Sequence, residues 1–77
     1  MMNRTELEKA GIDELRFEHY GWDCMLWFNE DDNGWVVEEL RKAVHYRVGV
    51  IPLADFPDVI YGNPEDWLIE TAKKIIG

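Results

Sequence analysis

Trp35-Val36-Val37-Glu38-Glu39-Leu40-Arg41-Lys42-Ala43-Val44-His45-Tyr46-Arg47-Val48 is the stretch on which the fold turns. Two periodicities compete within it. On a helical wheel Val36, Val37, Leu40, Ala43, Val44 and Val48 share one arc, opposite Glu38, Lys42 and His45. Read with a period of two, Val44, Tyr46, Val48 and Val50 instead alternate with His45, Arg47 and Gly49, as in a strand. We take 35–38 as a brief strand that leads into a helix at about 39–47. The rival is a fourth strand at 43–51.

Outward from this stretch the signals are sharper. Asp32-Asn33-Gly34 lies between apolar segments and reads as a hairpin turn, because Asn-Gly tolerates positive φ. Before it, Asp23-Cys24-Met25-Leu26-Trp27-Phe28-Asn29 is apolar on both faces and suits a covered strand. Leu15, Phe17 and His19 alternate with Arg16, Glu18 and Tyr20, which reads as a half-buried strand, and Gly21 permits a tight turn after it. Thr5-Glu6-Leu7-Glu8 fits a capping box, so a short helix is expected to about Ala10, with Gly11 as its stop.

Pro52 and Pro57 make 49–62 a connecting stretch with room for a turn of helix in it. Asn63-Pro64-Glu65-Asp66 is a helix start: a cap, a proline in the first turn, and acids at the positive end of the dipole. Leu68, Ile69, Ala72, Ile75 and Ile76 form its apolar stripe, giving a C-terminal helix over 64–76. The expected fold is α+β over a single domain, 1–77. It has a short N-terminal helix, an antiparallel hairpin or three-stranded sheet, and helices packed on one face. Seventy-seven residues allow one modest core.

Charge narrows the function classes. Sixteen acids against eight Lys and Arg give a net charge of −8. Nucleic acids and anionic membranes are bound by neutralising their charge with cations, so neither is an expected direct partner. The start, Met1-Met2-Asn3-Arg4-Thr5-Glu6, has no apolar stretch behind its arginine, and no apolar run approaches a membrane span; a cytoplasmic location is the expectation. The excess is local. Residues 23–40 contain Asp23, Glu30, Asp31, Asp32, Glu38 and Glu39 and neither Lys nor Arg, in a region rich in aromatic rings.

Catalytic and metal-binding patterns do not complete themselves. Asn29-x-Asp31-x-Asn33-Gly34 imitates the start of a calcium loop, but the twelfth position is Leu40, where a bidentate glutamate is required. Cys24, His19 and His45 lack the spacing of a zinc site or a thiol–imidazole pair. The single cysteine excludes an internal disulfide. Glu38-Glu39 and Glu65-Asp66 are adjacent pairs without a concave setting, and no phosphate loop or nucleophile motif occurs. No cofactor, no metal and no enzymatic activity are expected.

The acidic, aromatic hairpin is the remaining candidate. Carboxylates of Glu30, Asp31, Asp32, Glu38 and Glu39 would steer the chain toward a basic surface, and Trp27 and Trp35 would supply desolvated contact. The expected function is that of a non-enzymatic acidic binding protein, a stoichiometric inhibitor occupying a surface that otherwise holds nucleic acid. Small size, acidity and lack of catalytic motifs are shared with phage-encoded anti-CRISPR and anti-restriction proteins and with nuclease immunity proteins, a likeness of composition alone. The alternative is an adaptor or small subunit that docks through apolar surface, either the Trp67 face of the last helix or residues 51–61, with the acids serving solubility. The protein itself is expected to be a monomer or a weak homodimer.

Overall fold

The structure, a computed structural model, describes residues 2–3 and 14–77. In chain order these form β1 (Met2–Asn3), β2 (Glu14–His19), β3 (Trp22–Asn29), β4 (Gly34–Arg41), β5 (Val44–Pro52), a 3₁₀ turn (Leu53–Asp55), β6 (Val59–Ile60) and α1 (Pro64–Ile76). Strands β2, β3, β4 and β5 lie side by side in sequence order as an antiparallel meander, and β1 pairs with β6 in a separate two-stranded sheet. The expected N-terminal helix at residues 5–10 falls outside the described residues.

The ambiguous central stretch is strand throughout. Instead of a brief strand followed by a helix at 39–47, β4 continues to Arg41, reverses at Lys42-Ala43, and returns as β5. The sheet is therefore four-stranded, not three-stranded, and among the described residues α1 is the one α-helix on it. The helical wheel misled because β4 is a central strand. Trp35, Val36 and Val37 are all buried, so apolar residues run consecutively there instead of alternating. Residues 49–52, read from the sequence as connection, also belong to the sheet.

Register explains which side chains meet the helix. Cross-strand partners share a face, and Leu15↔Leu26, Leu26↔Val37, Phe28↔Trp35 and Trp35↔Ile51 all lie on the same one. Leu68 and Ala72 of α1 close over that face, and Leu53, Phe56 and Ile60 complete the core. Each Leu, Ile, Val or Phe among them contributes about 1.5–3 kcal/mol when fully buried. Met25 and Val36 alternate with the core residues, hence point to the opposite face, and are buried as well.

Helix α1 starts as its sequence dictates. The Asn63 side-chain oxygen accepts from Glu65 N at 2.8 Å, and Pro64 occupies the first turn. At the other end Gly77 N donates to Lys73 O at 3.0 Å, and Gly77 O lies 3.3 Å from His19 Nε2 at the end of β2. The helix thus ends at the end of β2 that leads into the β2–β3 turn.

Candidate functional site

Residues 30–33 connect β3 to β4. Asn33 N donates to Glu30 O at 3.1 Å, and Asn33 takes the left-handed conformation at φ 48. Asn29 holds the turn from inside. Its Oδ1 accepts from Asp31 N at 3.0 Å and its Nδ2 donates to Asp32 Oδ2 at 2.8 Å. Gly34 serves a different purpose from the one its sequence suggests. It sits in β4, where an added Cβ would lie 2.6 Å from Ile51 O.

The seven residues expected to bind a partner are not gathered on one surface. Glu30 and Asp31 are exposed, and among the described residues neither carboxylate has an ion-pair partner. Asp32 is engaged by Arg47 Nη2 at 3.0 Å. Glu39 receives Arg41 Nη2 at 2.7 Å, and Glu38 Oε1 lies 3.2 Å from His45 Nδ1; both glutamates are only 13% exposed. Being adjacent in a strand, Glu38 and Glu39 also point to opposite faces of the sheet. Trp27 is half-buried, and Trp35 is a core residue, 1% exposed, packed edge-on against Phe28 at 5.8 Å. Its indole has no surface to offer a partner.

The fold instead fastens a second acid-bearing segment beside the turn. Leu53 N donates to Asn33 O at 3.0 Å, which fastens the 3₁₀ turn beside the β3–β4 connection. Asp55 and Asp58 follow on the exposed segment that leads to α1, and Glu65 and Asp66 are exposed in the first turn of that helix. Phe56 packs against Trp67 with ring centroids 4.8 Å apart, holding this segment against the start of the helix. Asp55 thus stands two residues beyond the bond that ties Leu53 to the β3–β4 turn, and Glu65 and Asp66 stand in the first turn of the helix whose Trp67 packs against Phe56. The described arginines are each engaged by a carboxylate: Arg16 by Glu14, Arg41 by Glu39, Arg47 by Asp32. Lys42 stands in the β4–β5 turn at the opposite end, and Lys73 and Lys74 lie in the last turn of α1. Sequence reasoning missed Asp55 because the bond that brings Leu53 beside Asn33 depends on β5 running to Pro52 as a strand.

The opposite end is aromatic. A cleft of about 440 Å³ is lined by Trp22, Leu40, Arg41, Lys42, Val44 and Tyr46 among others. The Arg41 guanidinium lies over the Trp22 ring at 4.6 Å and 5.9 Å from the Tyr46 ring. Such stacking attracts the cation to the ring faces while Trp22 and Tyr46 stay about half exposed.

Reactive side chains do not converge. Cys24 is buried on β3, with Sγ donating to Trp22 O at 3.6 Å, and its thiol is pushed up from its ordinary value by burial, then by the charges of Glu39 and Asp23. A raised thiol is a poor nucleophile at neutral pH. His19 stands on edge strand β2 and His45 on edge strand β5, where it pairs with Glu38. Among the described residues no three His, Cys, Asp or Glu side chains come together as metal ligands. Within the Asn29–Asn33 segment, Asn29 Oδ1 and Asp32 Oδ2 are engaged in closing the turn itself. Of the two apolar surfaces considered, Trp67 is half-buried against Phe56, whereas Tyr61 is 80% exposed. Among the described residues no helix is long and apolar enough to cross a membrane.

No family model matches the sequence, and no curated protein or solved structure matches the chain.

Proposed function

We propose that this protein is a non-enzymatic binding protein that docks, through its acidic end, on a basic surface of a partner protein in the cytoplasm. The observation that carries this reading is the turn bearing Glu30 and Asp31, both exposed and without an ion pair among the described residues, to which Leu53, two residues before exposed Asp55, is bonded. Adjacent carboxylates such as Glu30 and Asp31 repel, and folding gains nothing from placing them together. A complementary basic surface would recover that cost on association and would be reached faster through long-range attraction. Exposed carboxylates can take the places of phosphates on a surface that otherwise holds nucleic acid. Bound there, the protein would act as a stoichiometric inhibitor.

The test pairs capture with competition. Wild-type protein and a Glu30→Gln/Asp31→Asn/Asp55→Asn/Asp58→Asn variant are used as bait, and the retained protein is purified and assayed for nucleic-acid binding. The proposal expects retention by wild type alone, and loss of nucleic-acid binding at equimolar inhibitor. A retained protein that holds both baits equally, or keeps its nucleic acid at saturation, contradicts it.

A further inference from the structure

We infer that the cleft beside the β4–β5 turn is a binding site for a small, flat aromatic carboxylate. Its walls come from one face of the sheet. Arg41 pairs with Val44, and Glu39 pairs with both Cys24 and Tyr46. Trp22 stands two residues before Cys24 on β3, so Trp22, Arg41, Val44 and Tyr46 project from the same face. The Arg41 guanidinium is fixed there. Its Nε and Nη2 both donate to Glu39 Oε2, at 3.1 and 2.7 Å, and it lies over the Trp22 ring at 4.6 Å. Trp22, Val44 and Tyr46 are nevertheless about half exposed around a space of about 440 Å³. That volume falls among small-molecule sites, which run from roughly 300 to 1,000 Å³.

The lining selects the ligand. A guanidinium stacked on an indole offers a flat platform to another flat ring, and the Tyr46 ring beside it adds a second surface. Charge adds the anion. Glu39 compensates Arg41, but Lys42 has no ion pair among the described residues, and Arg41 Nη1 makes no hydrogen bond among them. Asp23, which also borders the cleft, alternates with Trp22 along β3 and so points to the other face. Lys42 moreover holds a φ of 51, which Gly or Asn takes more cheaply, and strain of that kind collects at ligand sites. A chain of net charge −8 repels a polyanion, so the fitting ligand is small and singly charged. Glu30 and Asp31 lie in the turn at the other ends of β3 and β4, which keeps this site separate from docking there.

Indole-3-acetate is the probe, titrated to several millimolar into the intact, nitrogen-labelled chain and followed by NMR. A Kd of about 1 mM or tighter is expected for a ligand of this size. Shifts should centre on Trp22, Arg41, Lys42 and Tyr46 and be absent at Glu30 and Asp31. Indole, which lacks the charge, should bind about threefold more weakly, and acetate, which lacks the ring, at least about tenfold. Lys42→Gln should weaken the probe about threefold, and Trp22→Leu at least about tenfold, with the rest of each spectrum unchanged. Should Trp22→Leu lose its fold, Tyr46→Leu on the edge strand takes its place. No shift at several millimolar overturns the inference, as do shifts centred elsewhere. So does indole binding as well as indole-3-acetate, or a Lys42→Gln variant that binds the probe as tightly as wild type.

Discussion

Arg47 Nη2 lies 3.0 Å from Asp32 Oδ1, an ion pair that ties edge strand β5 to the acidic turn between β3 and β4. It withdraws one carboxylate from the acidic end while leaving Glu30 and Asp31 in water. Half of the Arg47 side chain is solvent-exposed, so the pair is screened and holds little stability. Arg47→Ala should therefore lower unfolding free energy by less than about 1 kcal/mol. The same substitution should speed association with a basic partner at low salt, because Asp32 joins the steering field. Urea melts and stopped-flow mixing check the two halves; slower association would show that Asp32 is not part of the attracting surface.

The β4–β5 turn is strained by its own residues. Lys42 and Ala43 have φ of 51 and 67, the left-handed region that Gly and Asn occupy most cheaply. Ala43→Gly relieves that strain and should raise stability by about 1 kcal/mol, or about 4–8 °C in Tm for a domain of this size. Thermal melts followed by circular dichroism measure it. A lowered Tm would mean that the turn does not adopt this conformation.

The same turn shows why part of the fold was hidden in the sequence. Gly21 announced the β2–β3 turn, and Asn33 announced the next. Lys42-Ala43 carries no such mark, so a helical wheel through Val36, Leu40 and Val44 was as persuasive as two strands. Helix α1 was legible in full, since Asn63, Pro64 and the Leu68 stripe depend only on near neighbours. The candidate site was legible only at Glu30 and Asp31. Whether Trp35 is a contact or a core residue depends on Ile51 and α1 folding over it, and whether Glu38 and Glu39 are engaged depends on His45 and Arg41. Contacts of that kind follow from register, which local sequence does not carry.

Two glycines are set against close neighbours and should differ in their response to alanine. A Cβ at Gly34 would meet the Ile51 carbonyl oxygen at 2.6 Å, a backbone atom fixed in the neighbouring strand. A Cβ at Gly49 would meet Ile75 Cγ2 at 2.7 Å, a part-exposed side chain. Both substitutions should cost about 1–3 kcal/mol, with Gly34→Ala the larger. Adding Ile75→Ala should recover at least about 0.5 kcal/mol for Gly49→Ala and nothing for Gly34→Ala. Denaturant titration of the single and double variants reads this out; additive losses would contradict the packing of α1 on Gly49.

Cys24 links burial to pH. Its folded-state proton is held more tightly than the ordinary thiol value of 9.0, first through burial and then through Glu39 and Asp23. Above that value the unfolded chain loses the proton first, so stability present below about pH 9 falls as pH rises. A Cys24→Ala variant should show a shallower decline between pH 8 and about pH 10 than wild type. Reaction with an aromatic disulfide reagent at neutral pH should be slow in the native state and fast in urea. Equal slopes, or rapid native labelling, would show the thiol to be accessible and unperturbed.

Steering by the acidic end is tested most directly by the association rate constant with the captured partner, measured against salt. The comparison is wild type against Glu30→Gln/Asp31→Asn/Asp55→Asn/Asp58→Asn. With charges screened over about 8 Å at physiological ionic strength, wild type should associate fast at low salt and slow steeply as salt is added. The neutralised variant should start slower, and the two should converge at high salt. Coincident curves across the whole range would contradict the account.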